Sequence, residues 1–331
     1  MQRTRGGKFR RAVRIILSVA LLPAARVPVL TAQSSAVKTW RADHHMHLAS
    51  PGLCRRVGEC LESNHPPAVF AADAIRALDG ANVMKGVVLS CAYLYGLPSL
   101  HLSPGEIAKR TRLENEFTAA EIAKYPKRLV GFLAVDPLQD GAIDELRYWK
   151  GQGKFVGLKL HFTASAVHIR NAADRQKVAR VLGEAAQEGL PVVIHLGGGD
   201  FNASDAELFI REVLPSAGGS WVQIAHAGGG LPEHDGNNLR VLRAFGDHMV
   251  RDDPTTRQVL FDLSYVPAPD KNSEEAAALA QEIRRIGLRR FLFGSDFNVL
   301  TPAEEMMNLG KLGLTEGEFE TLRENCAPWA C

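Results

Sequence analysis

Hydrophobic and polar positions alternate along this chain on a regular plan. Short apolar runs are each followed by a longer stretch whose apolar residues recur at helical spacing. The runs cover residues 39–47, 86–93, 128–136, 155–161, 191–196, 221–226, 258–265 and 290–296. Each predicts a strand. Between them, residues 175–189 place Val178, Val181, Leu182 and Ala185 on one helical face. Ser204 or Asp205 can cap the helix running to Leu214, and Asn272 or Ser273 the one running to Ile286. The connections at 49–66 and 96–104 are long, and long loops after strands often shape pockets.

Strand–helix alternation implies a parallel sheet with right-handed crossovers, either a barrel or an open doubly wound sheet. Eight units without an intervening linker suit one (β/α)8 TIM barrel spanning residues 33–331. Polar residues at the strand ends favour the same choice: His45 and His47, Lys159 and His161, His195, His226 and Asp296. In an open sheet the first and last strand ends are usually far apart. In a barrel they are neighbours around one mouth.

Composition changes the picture mainly at the N-terminus. Hydrophobic residues make up 46% and charged residues 23%, ordinary proportions for a globular protein. The formal charge of +2 conceals an uneven distribution, because residues 1–32 carry seven Lys or Arg and no acid. Without them 32 bases face 37 acids, a net charge of −5 that gives no reason to expect nucleic acid as a partner. The apolar run 15–25 is interrupted by Pro23 and reaches roughly 16 Å as a helix, short of the ~30 Å hydrocarbon core of a bilayer. Residues 1–32 therefore read as a signal peptide, cleaved after Ala32 or Ala36, and predict an exported protein, periplasmic or secreted, with no stable membrane span. The Arg10-Arg11 surroundings match a twin-arginine motif poorly, so the export route stays open. Export permits disulfides; Cys54–Cys60 and Cys326–Cys331 are the pairs close in sequence, and five cysteines leave at least one without an intrachain partner.

The sharpest chemical feature is Asp43-His44-His45-Met46-His47. Strand alternation puts His45 and His47 on one side, about 7 Å apart at Cα and close enough to share an ion, while His44 and Met46 face the helices. His195 and His226 each end an apolar strand and open into three glycines, where ligand could approach backbone. Asp296 ends the last strand, where a carboxylate can orient a water and accept its proton; the plainer alternative is a cap for the helix after Thr301-Pro302. Lys159 and His161 share the inner face of the fourth strand. Lys159 could pair with a substrate carboxylate or a pocket acid, or become carboxylated and bridge two metals. His161 is a pocket wall or a surface residue. Other chemistries lack their residues: there is no Gly-x-Ser-x-Gly elbow, no P-loop and no dinucleotide fingerprint, and Cys91 reads as a packed thiol.

In order and spacing, Asp43–His47, Gly157-Leu-Lys-Leu-His161, Val193-Ile-His195, Ala225-His-Ala-Gly-Gly229 and Leu292-Phe-Gly-Ser-Asp296 resemble the amidohydrolase superfamily. The likeness runs from Ala42 to about Trp329. It is nearest the branch holding lactone hydrolases and the aminocarboxymuconate-semialdehyde and resorcylate types of decarboxylase. It implies one divalent ion, usually zinc, held by His45, His47, His195 and Asp296, with His226 as an acid/base beside it. The two-metal variant would use His195, His226 and a carboxylated Lys159. Phe297-Asn298 departs from the aromatic-Pro pair that follows the last acid in many members. The implied reaction is hydrolysis of a lactone, ester or amide, with Asp296 taking the proton of the attacking water. The alternatives are decarboxylation of a small aromatic or unsaturated acid, or a metal-binding barrel without catalysis. In each case the expected partner is a small molecule.

Overall fold

Parallel pairing orders the eight strands in sequence around one sheet. A computed structural model describes residues 38–61, 68–197, 201–229, 237–266 and 273–331; the leader at 1–32 lies outside them. The strands are β1 (Trp40–Leu48), β2 (Val83–Ser90), β3 (Leu129–Ala134), β4 (Gly157–His161), β5 (Val192–His195), β6 (Val222–Ile224), β7 (Val259–Asp262) and β8 (Phe291–Leu292). Beyond β8 the chain continues along β1. The His44 N–H donates to the Phe293 carbonyl and the Asp296 N–H to the His45 carbonyl, both at 2.8 Å, which joins the last strand to the first. The architecture is the (β/α)8 barrel.

Local sequence explains how the layers fit. Gly157 opens β4 because Phe132 of β3 lies across it; a Cβ there would stand 2.1 Å from the ring. On the helix Ala172–Gln187, Val178, Val181, Leu182 and Ala185 are all buried against the sheet. The helix Ala203–Glu212 starts earlier than the pattern suggests: Asn202 caps it and Asp205 completes the capping box three residues on. The capping groups of Ser273–Ile286 lie outside the described residues. Thr301 caps Pro302–Leu309, so Asp296 has no capping duty. No helix among the described residues is long and apolar enough to cross a membrane.

β1 departs from simple alternation. Asp43 pairs with Gly86 and Met46 with Val88, so three steps on β1 match two on β2 and a bulge falls at His44-His45. Met46 packs into the helix-side core, as expected. His44 does not face the helices. Its Nδ1–H donates to the Phe293 carbonyl at 3.0 Å, and its Nε2 accepts the Ala327 N–H at 3.1 Å. It is a satisfied core histidine tying β1 to the C-terminal segment.

That segment closes the barrel floor. Ala330, Cys326 and Trp329 pack on Ala42, Val87, Leu89, Phe132 and Val193, while Ala327 packs on Leu260 and Leu292. A Cys326–Cys331 disulfide closes the terminal turn. Cys54 and Cys91 are free thiols, and the side chain of Cys60 lies outside the described residues.

Candidate metal centre

At the opposite end of the barrel, three acceptor atoms face one another. His45 Nε2 lies 3.1 Å from His47 Nε2, and Asp296 Oδ1 lies 3.4 Å from the first and 3.3 Å from the second. The other ring nitrogens fix the tautomers. His45 Nδ1–H points to Asp262 Oδ2 at 3.1 Å, and His47 Nδ1–H to the Leu89 carbonyl at 2.9 Å. In the neutral rings both Nε2 atoms are therefore lone pairs. Two lone pairs and a carboxylate oxygen converging at this range repel unless a cation or proton stands between them. A tetrahedral ion with bonds of 2.0–2.1 Å sets its ligand atoms roughly 3.3–3.4 Å apart, which these spacings approach. The donor set fits a divalent metal.

A second trio, His45, His226 and Asp262, also lies within metal-binding range. Hydrogen bonds already satisfy it. Ser264 Oγ sits 3.1 Å from His45 Nδ1 and 3.0 Å from His226 Nδ1, and donates to Asp262 Oδ1. Asp262 further accepts from Gln223 Nε2 at 2.6 Å and from the His226 N–H at 3.0 Å. This buried carboxylate orients His45 and anchors the turn carrying His226, the usual part of a carboxylate behind a ligating histidine. Sequence reasoning missed it. Two residues apart on β7 and its extension, Asp262 and Ser264 share a face with Leu260, a parity that could have marked the acid as inward.

Backbone geometry places the remaining groups. β6 ends at Ile224, and His226 and Ala227 adopt φ of 54° and 50°. Asp296 has φ 59° and Tyr265 φ 57°. Left-handed backbone at non-glycine residues costs roughly 1–3 kcal/mol each and clusters at functional sites. The carboxylate and the histidine thus sit on bent backbone beyond their strands.

Burial and charge set the protonation states. Burial works against ionising Asp296, but the hydrogen bond from His47 and the His45 and His226 rings beside it hold its carboxyl well below the usual range. Asp262 is likewise opposed by burial and held down by His45. Burial, with Lys159 nearby, lowers His45 to about 3. For His47 burial is outweighed by Cys91 and Asp296 beside the ring, and its pKa rises to about 10. Burial pulls Lys159 down to about 8.

His45, His47, His226 and Asp296 line a cavity of about 240 Å³ that also takes in Cys91, Tyr93, Tyr265 and Asn298, with Asp262 behind it. Lys159 and His161 both reach its wall, the former fully buried. His195 is there too, but neither ligand trio among the described residues includes it; its ring stacks on His161 at 3.9 Å and meets His226 edge-on at 4.9 Å. The glycines after these histidines make room for the protein's own side chains: a Cβ on Gly197 would strike Phe201, and one on Gly229 would strike Asn238. Gly198, Gly199 and Gly230 lie outside the described residues. The short turn after β2, Ala92–Gly96, supplies Tyr93 and Leu94 to the cavity, whereas no described side chain of the helix Pro51–Leu61 lines it.

Comparison with known proteins follows this geometry. The amidohydrolase family profile matches residues 42–322. No curated protein sequence matches the chain. Among solved structures, 5-carboxyvanillate decarboxylase from Sphingomonas paucimobilis is similar at TM-score 0.61 and 12% identity, covering 87% of this chain and 97% of that one. A Pseudomonas putida protein provisionally named a 2-pyrone-4,6-dicarboxylic acid hydrolase gives TM-score 0.57 and 16% identity over 86% and 94% of the two chains. A dihydroxybenzoic acid decarboxylase from Polaromonas, solved with manganese and 2-nitroresorcinol, gives 0.56 and 15% over 86% and 94%.

Two outcomes are expected at the centre. With its pKa near 10, metal-free His47 holds a proton at neutral pH that an incoming ion must displace, whereas His45 and Asp296 have none to lose. Zinc affinity measured with a competing chelator should therefore rise about tenfold per pH unit from pH 6 to 8; a flat profile would contradict this protonation scheme. Asp262→Asn should weaken metal affinity roughly 10- to 100-fold in the same titration with the fold retained by circular dichroism. Wild-type affinity in that variant would remove Asp262 from the account.

Proposed function

Since the chain belongs to the amidohydrolase family, we propose that it is a metal-dependent hydrolase that cleaves a lactone, ester or amide bond at the mouth of the barrel. The observation that carries this reading is the convergence of His45 Nε2, His47 Nε2 and the ionised Asp296 Oδ1 within 3.4 Å. A divalent ion held there supplies a Lewis acid for the scissile carbonyl and lowers the pKa of water toward about 7. Zinc suits the nitrogen and oxygen donors.

The protein's own groups handle the protons. Asp296, kept ionised, accepts one from the attacking water. His226 donates Nδ1–H to the Ser264 carbonyl at 2.9 Å, so its Nε2 is a lone pair when neutral. It must gain a proton before giving one to the leaving group, which makes it a relay and not a standing oxyanion donor. Burial and the aromatic and histidine rings around the cavity exclude bulk water from these transfers. We place the enzyme outside the cytoplasm, on the basic leader at 1–32 and the Cys326–Cys331 disulfide, which oxidising compartments preserve.

A second reading, decarboxylation of a small carboxylic acid, draws on one observation: the fully buried Lys159 brings to the cavity an Nζ that makes no hydrogen bond with the described residues. The experiment that separates the two is a screen of zinc- and manganese-loaded protein against lactones, esters, amides and aromatic acids, reading both acid release and carbon dioxide. Hydrolysis should appear, and Asp296→Asn should lower kcat about 10²- to 10⁴-fold. Carbon dioxide from an aromatic acid with no hydrolysis of any panel member would replace the first reading by the second.

A further inference from the structure

A continuous line of hydrogen bonds joins the floor of the barrel to the metal centre. At its lower end the Cys326–Cys331 disulfide closes a turn in which the Ala330 and Cys331 N–H groups both donate to the Ala327 carbonyl, at 2.9 and 3.2 Å. Ala327 is fully buried against Leu260 and Leu292, and its N–H donates to His44 Nε2 at 3.1 Å. His44 is also fully buried, with its Nδ1–H on the Phe293 carbonyl. The His44 carbonyl accepts from Gln223 Nε2 at 3.2 Å, and the same nitrogen donates to Asp262 Oδ2 at 2.6 Å. Asp262 in turn holds His45 Nδ1 at 3.1 Å.

This line acts where the backbone is least constrained by its neighbour. Neither His44 nor His45 has a partner in the β2 register, which resumes only at Met46. The direction of the His45 ring therefore depends on what grips His44: the Phe293 carbonyl, Gln223 and the Ala327 N–H. The staple at the far end is open to chemistry. Cys331 is exposed and Cys326 half-buried, and both line a cavity of about 470 Å³ under the barrel with Trp221 and Arg289. An exposed disulfide is within reach of thiol exchange.

We propose that this disulfide is a redox switch on the metal centre. Closed, it holds the turn that fixes His44 and, through Gln223 and Asp262, the ring of His45. Opened by a dithiol, it frees the turn, and metal affinity falls. In the exchange the S–S bond breaks, two electrons and two protons pass to the two sulfurs, and the dithiol closes to its own disulfide. Tight metal binding is then confined to compartments that keep the staple oxidised. The switch rests on the metal-dependent reading above and adds its regulation.

The test measures zinc affinity with a competing chelator in the disulfide-closed wild type, Cys326→Ser/Cys331→Ser, His44→Asn and the triple variant. His44→Asn keeps a side-chain N–H for the Phe293 carbonyl and removes the ring atom that meets Ala327. The serine pair should bind zinc roughly 5- to 50-fold more weakly than wild type, and His44→Asn should match it. In the triple variant the serines should add no further loss, because the route is already cut. The visible bands of the cobalt-loaded protein, which report ligand geometry, should shift in all three variants while circular dichroism shows the fold retained. If the serine pair does not fold, wild type reduced in place by a phosphine supplies the open form. Equal zinc affinity and unchanged cobalt bands in closed and open forms would overturn the switch. So would a serine-pair loss that persists in full in the His44→Asn background, since the staple would then act by another route. In both cases zinc bound by the closed wild type leaves the metal centre standing, and the hydrolase reading is judged separately on the Asp296→Asn rates.

Discussion

Three ligand atoms turned toward one another are the constraint on which the site depends. His45 Nε2, His47 Nε2 and Asp296 Oδ1 stand within 3.4 Å, and each imidazole directs its Nδ1–H elsewhere, which leaves the proton on His47 Nε2 to hold the metal-free cluster together. A divalent cation can take that proton's place. The fold meets the cost of assembling the cluster through the groups behind it. Asp262 gathers His45, Gln223, Ser264 and the backbone of His226, so one buried carboxylate binds β1, β6 and β7 to a single geometry. Gly294 permits this: a Cβ there would stand 2.9 Å from the Cβ of His45.

Around that constraint the cavity is divided by polarity. β1 and the bend after β8 supply ring nitrogens and a carboxylate, while β4 supplies Lys159 and His161. The left-handed bends at His226, Tyr265 and Asp296 raise their side chains over the mouth at a cost in backbone energy, which the barrel below repays through its sealed floor of Trp329, Ala327 and Ala330.

All eight strands could be read from sequence because parallel barrel strands are buried on both faces and appear as apolar runs. The pairing of His45 with His47 and the approach of Asp296 followed from strand parity and from closure. Parity failed where the backbone departs from it. The β1 bulge is invisible in Asp43–Met46, so simple alternation turns His44 to the wrong face. The apolar runs overreach the strands at His226, Tyr265 and Asp296, because positive φ at a non-glycine residue leaves no mark in composition. Asp262 is hidden inside an apolar run, and its ties to Gln223, Ser264 and the His226 N–H exist only in the folded chain.

Metal content tests the account most directly. Elemental analysis of protein purified without chelator and then equilibrated with zinc should give about one equivalent per chain, lost in the double variant His45→Ala/His47→Ala while the far-ultraviolet spectrum is kept. Failure of the wild type to hold zinc or manganese, or equal metal in the double variant, would contradict the reading of those three acceptors and leave only the barrel.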